Sequence, residues 1–167
     1  MLGPTHVVIG VAAGLAVAGD ALQVDWSDLT TLSQLGWIVT LAALGALLPD
    51  IDTGSSTISR FLWLPRLLLS PLFALIPHRG PTHSLLMLVP LSVIFALHPL
   101  YGPVFVAGYA SHIMADMLTK SGVKLLYPLP YNARLLPKFA AIRTGGLVEL
   151  AVLIGMTYTI VDAMFLQ

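Results

Sequence analysis

Apolar and polar positions fall in long blocks along this chain. Five apolar segments stand out by length and hydropathy, at residues 5–19, 35–48, 84–97, 103–118 and 146–166. Several are shorter than the ~20 residues that a full membrane span needs, so their polar ends are expected to continue as helix inside a bundle. Residues 61–77 are also apolar, but they carry Arg66 and are interrupted by Pro65, Pro71 and Pro77. Three prolines disfavour a straight span, and the stretch reads as an interfacial or re-entrant segment with Trp63 near the headgroups. The pattern predicts an all-α integral membrane protein. It would be a small bundle of about five transmembrane helices with one interfacial or re-entrant helical segment, forming a single domain over residues 1–167.

Composition agrees with this. Hydrophobic residues make up 57% of the chain and charged residues only 10%, against about a quarter charged in soluble domains. That leaves too little polar surface to coat a water-facing globule. The formal net charge is zero, so no basic patch points to a nucleic-acid partner. Cysteine is absent, which excludes disulfides and thiolate metal sites and leaves imidazole and carboxylate as the strong ligands. Residues 7–18 with Ala16-Val17-Ala18 resemble a signal peptide and its cleavage site. No Lys or Arg precedes Arg60, however, so the positive leader is missing and the first helix is expected to be retained.

Charge then orients the bundle. Arg60, Arg66 and Arg79 fall between the second and third segments, and Lys120, Lys124, Arg134, Lys138 and Arg143 between the fourth and fifth. The other two connections carry no Lys or Arg. All eight cations are expected on the cytoplasmic side, with the N-terminus inside. Trp26 and Trp37 would mark the outer interface. This topology puts His6, Asp50, Asp52, His78, His83, His112, Asp116, Thr144 and Glu149 at one depth. Asp20, Asp25, Asp28, His98 and Asp162 fall at the outer end, where they read as solvated caps.

The inner-side residues occur in motifs. His78-Arg79-Gly80-Pro81-Thr82-His83-Ser84 concentrates two imidazoles, a guanidinium and two hydroxyls in seven residues against an apolar run. Gly80-Pro81 demands a turn that would swing both imidazoles toward one point, with Thr82 capping the next helix. Arg79 is suited to gripping an anionic oxygen; its plainer role is a positive-inside anchor. Leu48-Pro49-Asp50-Ile51-Asp52 places two carboxylates at a helix end, where Pro49 would turn them into the bundle; a solvated Pro-Asp turn is the alternative. Gly108, His112 and Asp116 share one helical face, and an ionised Asp within a membrane helix costs about 2.5–3.5 kcal/mol on insertion scales. His6, Gly10, Gly14 and Ala18 repeat that spacing as a small-residue packing seam with His6 facing inward. Thr144-Gly145-Gly146 opens the last helix, and Glu149 in its first turn would offset the helix dipole or serve function.

Together the HRGPTHS element, the LPDID segment end, the SHIMAD helix and the later TGG…E resemble the YdjM-like, LexA-regulated membrane-bound metal-dependent hydrolases. The resemblance runs from His6 to Glu149. It implies a metal-dependent hydrolase of the bacterial inner membrane, remotely similar to zinc-dependent phospholipase C. It also implies a polar core of Asp50, Asp52, His78, His83, His112 and Asp116.

The expectation is a multi-pass inner-membrane protein with one or two divalent metals, zinc by ligand type and manganese or iron as substitutes. The ligands would be His6, Asp50, Asp52, His78, His83, His112 and Asp116. Four carboxylates, Asp50, Asp52, Asp116 and Glu149, would be neutralised by two cations. Metal-activated water would attack a lipid phosphoester at the cytoplasmic surface, with Asp52 or Glu149 as general base and Arg79 holding a phosphoryl oxygen. Thr82, Ser84 and Thr144 complete the expected substrate contacts. The rival reading is a metal-ion or small-solute transporter or binding protein without hydrolytic activity, built from the same ligands.

Overall fold

The computed structural model describes residues 1–19, 29–74 and 80–165. His78 and Arg79, and the outer-side residues Asp20, Asp25, Trp26 and Asp28, lie outside the described residues. The chain is helical. In order come α1 (Gly3–Ala18), α2 (Leu29–Leu47), a 3-10 turn (Leu48–Asp52), α3 (Thr57–Phe61), α4 (Trp63–Ala74), a second 3-10 turn (Pro81–His83), α5 (Leu85–Phe95), α6 (Tyr101–Met117) and α7 (Leu147–Phe165). Among the described residues there are no strands, only two isolated bridges, Thr119 to Ile142 and Val123 to Ala133, which pin the long connection before α7.

Helices α1, α2 and α6 pack on one another, α5 lies against α6, and α7 lies against α1. The close approach has a visible cause. A Cβ on Gly10 would stand 2.3 Å from the Ala46 Cβ, and one on Gly108 would stand 2.2 Å from the Ala42 carbonyl oxygen. No side chain fits at either position, so the backbones touch where small residues recur every fourth position. The expected seam of His6, Gly10, Gly14 and Ala18 is the buried edge of α1. Ala18, Ile38, Ala42 and Val104 fill the bundle at one end, and Phe105, Tyr109, Ile113 and Val123 fill the middle.

The structure bears on three of these expectations. One helical stretch among the described residues, Thr30–Asp52, is long and apolar enough to cross a membrane by itself, while Gly3–Ala18 and Leu85–Phe95 are shorter apolar helices. The sequence pattern marked greasy blocks, and block length does not equal span length. Residues 61–77, expected as an interfacial or re-entrant segment, contain a 12-residue helix, α4, that continues through Pro71. At 1.5 Å per residue α4 is about 18 Å long, too short to cross a ~30 Å hydrocarbon core. Trp63, Leu64, Leu67 and Leu68 on it are exposed. Finally, Ser84 rather than Thr82 stands at the start of α5, and its hydroxyl turns back to donate to the Pro81 carbonyl at 2.7 Å.

Candidate metal centre

Five titratable side chains from four parts of the chain meet at one end of the three-helix core. His6 comes from the first turns of α1, Asp50 from the 3-10 turn ending α2, and His83 from the turn before α5. His112 and Asp116 come from successive turns of α6. The ligand atoms of His83, His112 and Asp116 all lie within 4.8 Å of one another, as do those of His6, Asp50 and His112. His83 Nε2 is 3.5 Å from Asp50 Oδ1 and 3.9 Å from Asp116 Oδ2; His112 Nε2 is 3.8 Å from Asp50 Oδ1. His6 stacks on His112 with ring centroids 3.7 Å apart, and its Nε2 is 3.3 Å from Asp116 Oδ1.

Local structure explains the convergence. Pro49 has no N–H to contribute, so it suits the first turn of the 3-10 segment, which tightens the end of α2 and lifts Asp50 off the helix axis. That turn is clamped from behind. Ser56 Oγ donates to the Asp50 carbonyl at 2.7 Å and Ser59 Oγ to the Ile51 carbonyl at 2.9 Å. The turn carrying His83 is held by Tyr109, whose hydroxyl donates to the Thr82 carbonyl. Tyr109 precedes His112 by three positions and shares its helical face, a signal present in the sequence that the motif reading passed over.

The ring nitrogens have defined duties. His112 Nδ1 lies 2.6 Å from the Ala46 carbonyl oxygen, which can only accept, so Nδ1 carries the proton and Nε2 faces the cluster. His83 Nδ1 contacts Thr82 Oγ1 at 3.1 Å, and Thr82 Oγ1 donates toward Asp52 Oδ2 at 3.5 Å. The two Nε2 atoms then face each other at 3.1 Å. Two nitrogen lone pairs at that separation repel, so a shared proton or a cation must lie between them. Neither ring nitrogen of buried His6 makes a well-aligned hydrogen bond, its Nε2 having only the oblique contact with Asp116, and such under-satisfied groups are costly away from water. The Met1 nitrogen lies 2.5 Å from Asp116 Oδ1. An under-satisfied imidazole, opposed nitrogens and two carboxylates fit a divalent cation with nitrogen and oxygen ligands.

The other expected site residues stand elsewhere. Among the described residues Asp52 lies outside both metal-ligand trios and meets His83 through Thr82; it also accepts from Thr53 Oγ1 at 3.2 Å. Glu149 is buried, but its oxygens accept from the Leu2 N–H at 2.5 Å and the Gly145 N–H at 2.7 Å. It therefore joins the start of α7 to the start of α1. Thr82 and Ser84 are buried, Thr82 bonded between His83 and Asp52 and Ser84 within its own turn, and Thr144 is exposed. His112 belongs to both trios and has one nitrogen to give, and Asp50 and Asp116 are the carboxylates of the two trios.

Fold and site together define a helical, membrane-type protein with a buried histidine–aspartate centre. The chain belongs to the family described as YdjM inner membrane protein, whose family model matches residues 1–167. It is 42% identical over 115 residues to the inner membrane protein YdjM of Escherichia coli K12, covering 62% of this chain and 57% of that protein. The Shigella flexneri protein of the same name matches to the same extent. The chain thus spans little more than half the length of these two relatives. It is 32% identical over 163 residues to the uncharacterized protein YvsG of Bacillus subtilis, covering 94% of this chain and 90% of that one. No solved structure matches.

Proposed function

We propose that this chain is a multi-pass protein of the bacterial inner membrane whose buried pocket holds one divalent cation, zinc by ligand type, for hydrolysis of a phosphoester at the membrane surface. The observation that carries the reading is the pair of opposed His83 and His112 Nε2 atoms, 3.1 Å apart, with Asp50 and Asp116 beside them. The short helices α1, α5 and α6 would complete the bundle within the bilayer. The cationic connections, and with them the pocket, would face the cytoplasm.

In this reading His6, Asp50, His83, His112 and Asp116 supply the ligands. When bound, the cation would supply Lewis acidity, polarising a phosphoryl oxygen and making water reactive near neutral pH. The chain's own groups do the rest. Ala46 and the Thr82–Asp52 pair hold the two imidazoles with their outer nitrogens engaged, so ligand geometry is set before binding. The imidazoles and Asp116 are almost wholly buried, whereas Asp50 is 21% exposed. Substrate would approach past Asp50, whose second oxygen is available to accept a proton. Asp52 is the nearest further carboxylate.

The same burial favours a second reading. Structural metal centres are closed and catalytic ones keep a position open, so a non-catalytic metal centre that locks α1, α6 and the turn before α5 together fits the four buried ligands. One experiment addresses both: elemental analysis of detergent-purified wild type and His112→Ala, followed by turnover on a panel of lipid and soluble phosphoesters. About one metal per chain, lost in the variant, supports the metal centre; turnover that disappears with it supports hydrolysis. Metal without turnover on any substrate supports the closed centre. No bound metal in wild type would overturn both.

A further inference from the structure

A groove of about 430 Å³ opens on the side of the bundle between α1, α6 and α7, beside the metal pocket. Ile9, Ala12 and Ala13 form its α1 wall, Met114 its α6 wall, and Met156 stands on α7. The small side chains of α1 leave a channel where larger ones would fill it. Leu135, from the long connection between α6 and α7, also lines it. It is held in place by its own N–H, which donates to the Met117 carbonyl at 3.0 Å.

The charge of this connection is one-sided. Residues 117–148 contain five Lys and Arg and no Asp or Glu. Arg134 Nε donates to the Lys120 carbonyl at 3.0 Å, and these two residues lie one and two positions from Leu135 and Leu118, which line the groove. An apolar channel lined from a cationic connection is complementary to a molecule with a hydrocarbon tail and an anionic head. We propose that this groove binds one acyl chain of an anionic phospholipid, with Lys120 and Arg134 meeting the phosphate. The proposal rests on the membrane placement given above and needs no hydrolytic activity.

The test is lipid retention. The full chain is reconstituted into vesicles of equal phosphatidylglycerol and phosphatidylcholine, extracted in mild detergent, and its retained lipid counted by mass spectrometry. Wild type is expected to keep phosphatidylglycerol over phosphatidylcholine. Ala13→Phe, which fills the channel, should lose the retained lipid. Lys120→Gln with Arg134→Gln should lower the preference for the anionic lipid about five-fold for each cation removed. Helicity by circular dichroism serves as the folding control, because metal content could fail for reasons of its own. If Ala13→Phe does not fold, Met156→Trp fills the channel from α7 and must show the same loss. Equal retention of both lipids by wild type, or undiminished retention in a folded channel-filled variant, overturns the proposal.

Discussion

The two ends of the α1–α2–α6 core are built from opposite materials. At one end Ala18, Ile38, Ala42 and Val104 are fully buried and wholly apolar. At the other, His6, His83, His112 and Asp116 are equally buried and wholly ionisable. The apolar end stabilises itself, since apolar burial is favourable at ~25 cal/mol per Å². The ionisable end is a liability unless charge is matched. The comparison teaches that the glycine and alanine contacts between the ends set ligand spacing. Backbones in contact at Gly108 and Ala42 hold His112 one turn further along α6, within reach of His83 and Asp50.

Disturbing the contact between the two ends should have the largest effect. Gly108→Val would drive a side chain into the Ala42 carbonyl, 2.2 Å from the ideal Cβ position, so α2 and α6 must separate. Overpacking of this kind costs about 1–3 kcal/mol or more, a large part of a typical ~5–15 kcal/mol stability. Both thermal stability and metal content should fall together. A variant that loses stability and keeps full metal content would show that the seam does not govern the pocket.

His112→Ala should separate the ends in the other direction. The apolar seam stays intact, so the helices remain, while the pocket loses the imidazole common to both ligand trios. If the pocket binds zinc as proposed, added zinc should raise wild-type stability by about 2.7 kcal/mol at a hundred-fold excess over Kd. It should leave the variant's melting temperature unmoved. A variant that zinc still stabilises would place the metal elsewhere.

Much of this arrangement was readable in advance, and the residues show why. The i, i+4 spacing of Gly108, His112 and Asp116 fixes a helical face whatever the neighbours are, and so does that of His6, Gly10, Gly14 and Ala18. The structure brings the polar ends of these two faces, His6, His112 and Asp116, into one cluster. Less legible were the contacts that depend on which partner a flexible group finds. Asp52 and Glu149 look like Asp50 in sequence, carboxylates near helix ends, yet each faces donors of the protein itself. Span number was equally hidden, because helix length depends on where packing lets polar ends continue. Ser84 took the helix-start position expected of Thr82 because the Thr82 hydroxyl is drawn to His83 and Asp52.

Supporting contacts should matter less than ligands, and Asp52 measures by how much. Its link to His83 runs through the Thr82 hydroxyl. Loss of such an outer contact typically lowers metal affinity about 10–100-fold. Asp52→Asn should therefore bind metal more weakly in a chelator competition and still reach full occupancy when metal is in excess. Failure to bind at any concentration would make Asp52 a ligand in its own right.

The smallest effect is expected at Glu149, and it discriminates most sharply between roles. Each of its oxygens accepts a backbone N–H, from Leu2 and from Gly145. Glu149→Gln keeps one acceptor and turns an amide donor toward the other N–H, which loosens the first turn of α1. His6 follows Leu2 by one helical turn, so its contact with the pocket weakens, whereas His83 and His112, held from other elements, are unaffected. Metal affinity should fall by less than in Asp52→Asn, and amide exchange should quicken in the first turns of α1 but not in α6. A general base at this position would behave differently: hydrolysis would vanish while affinity and α1 protection stayed at wild-type values. A ligand would behave differently again, with metal lost as completely as in His112→Ala. The clasp between α1 and α7 is the role in which exchange at α1 moves first.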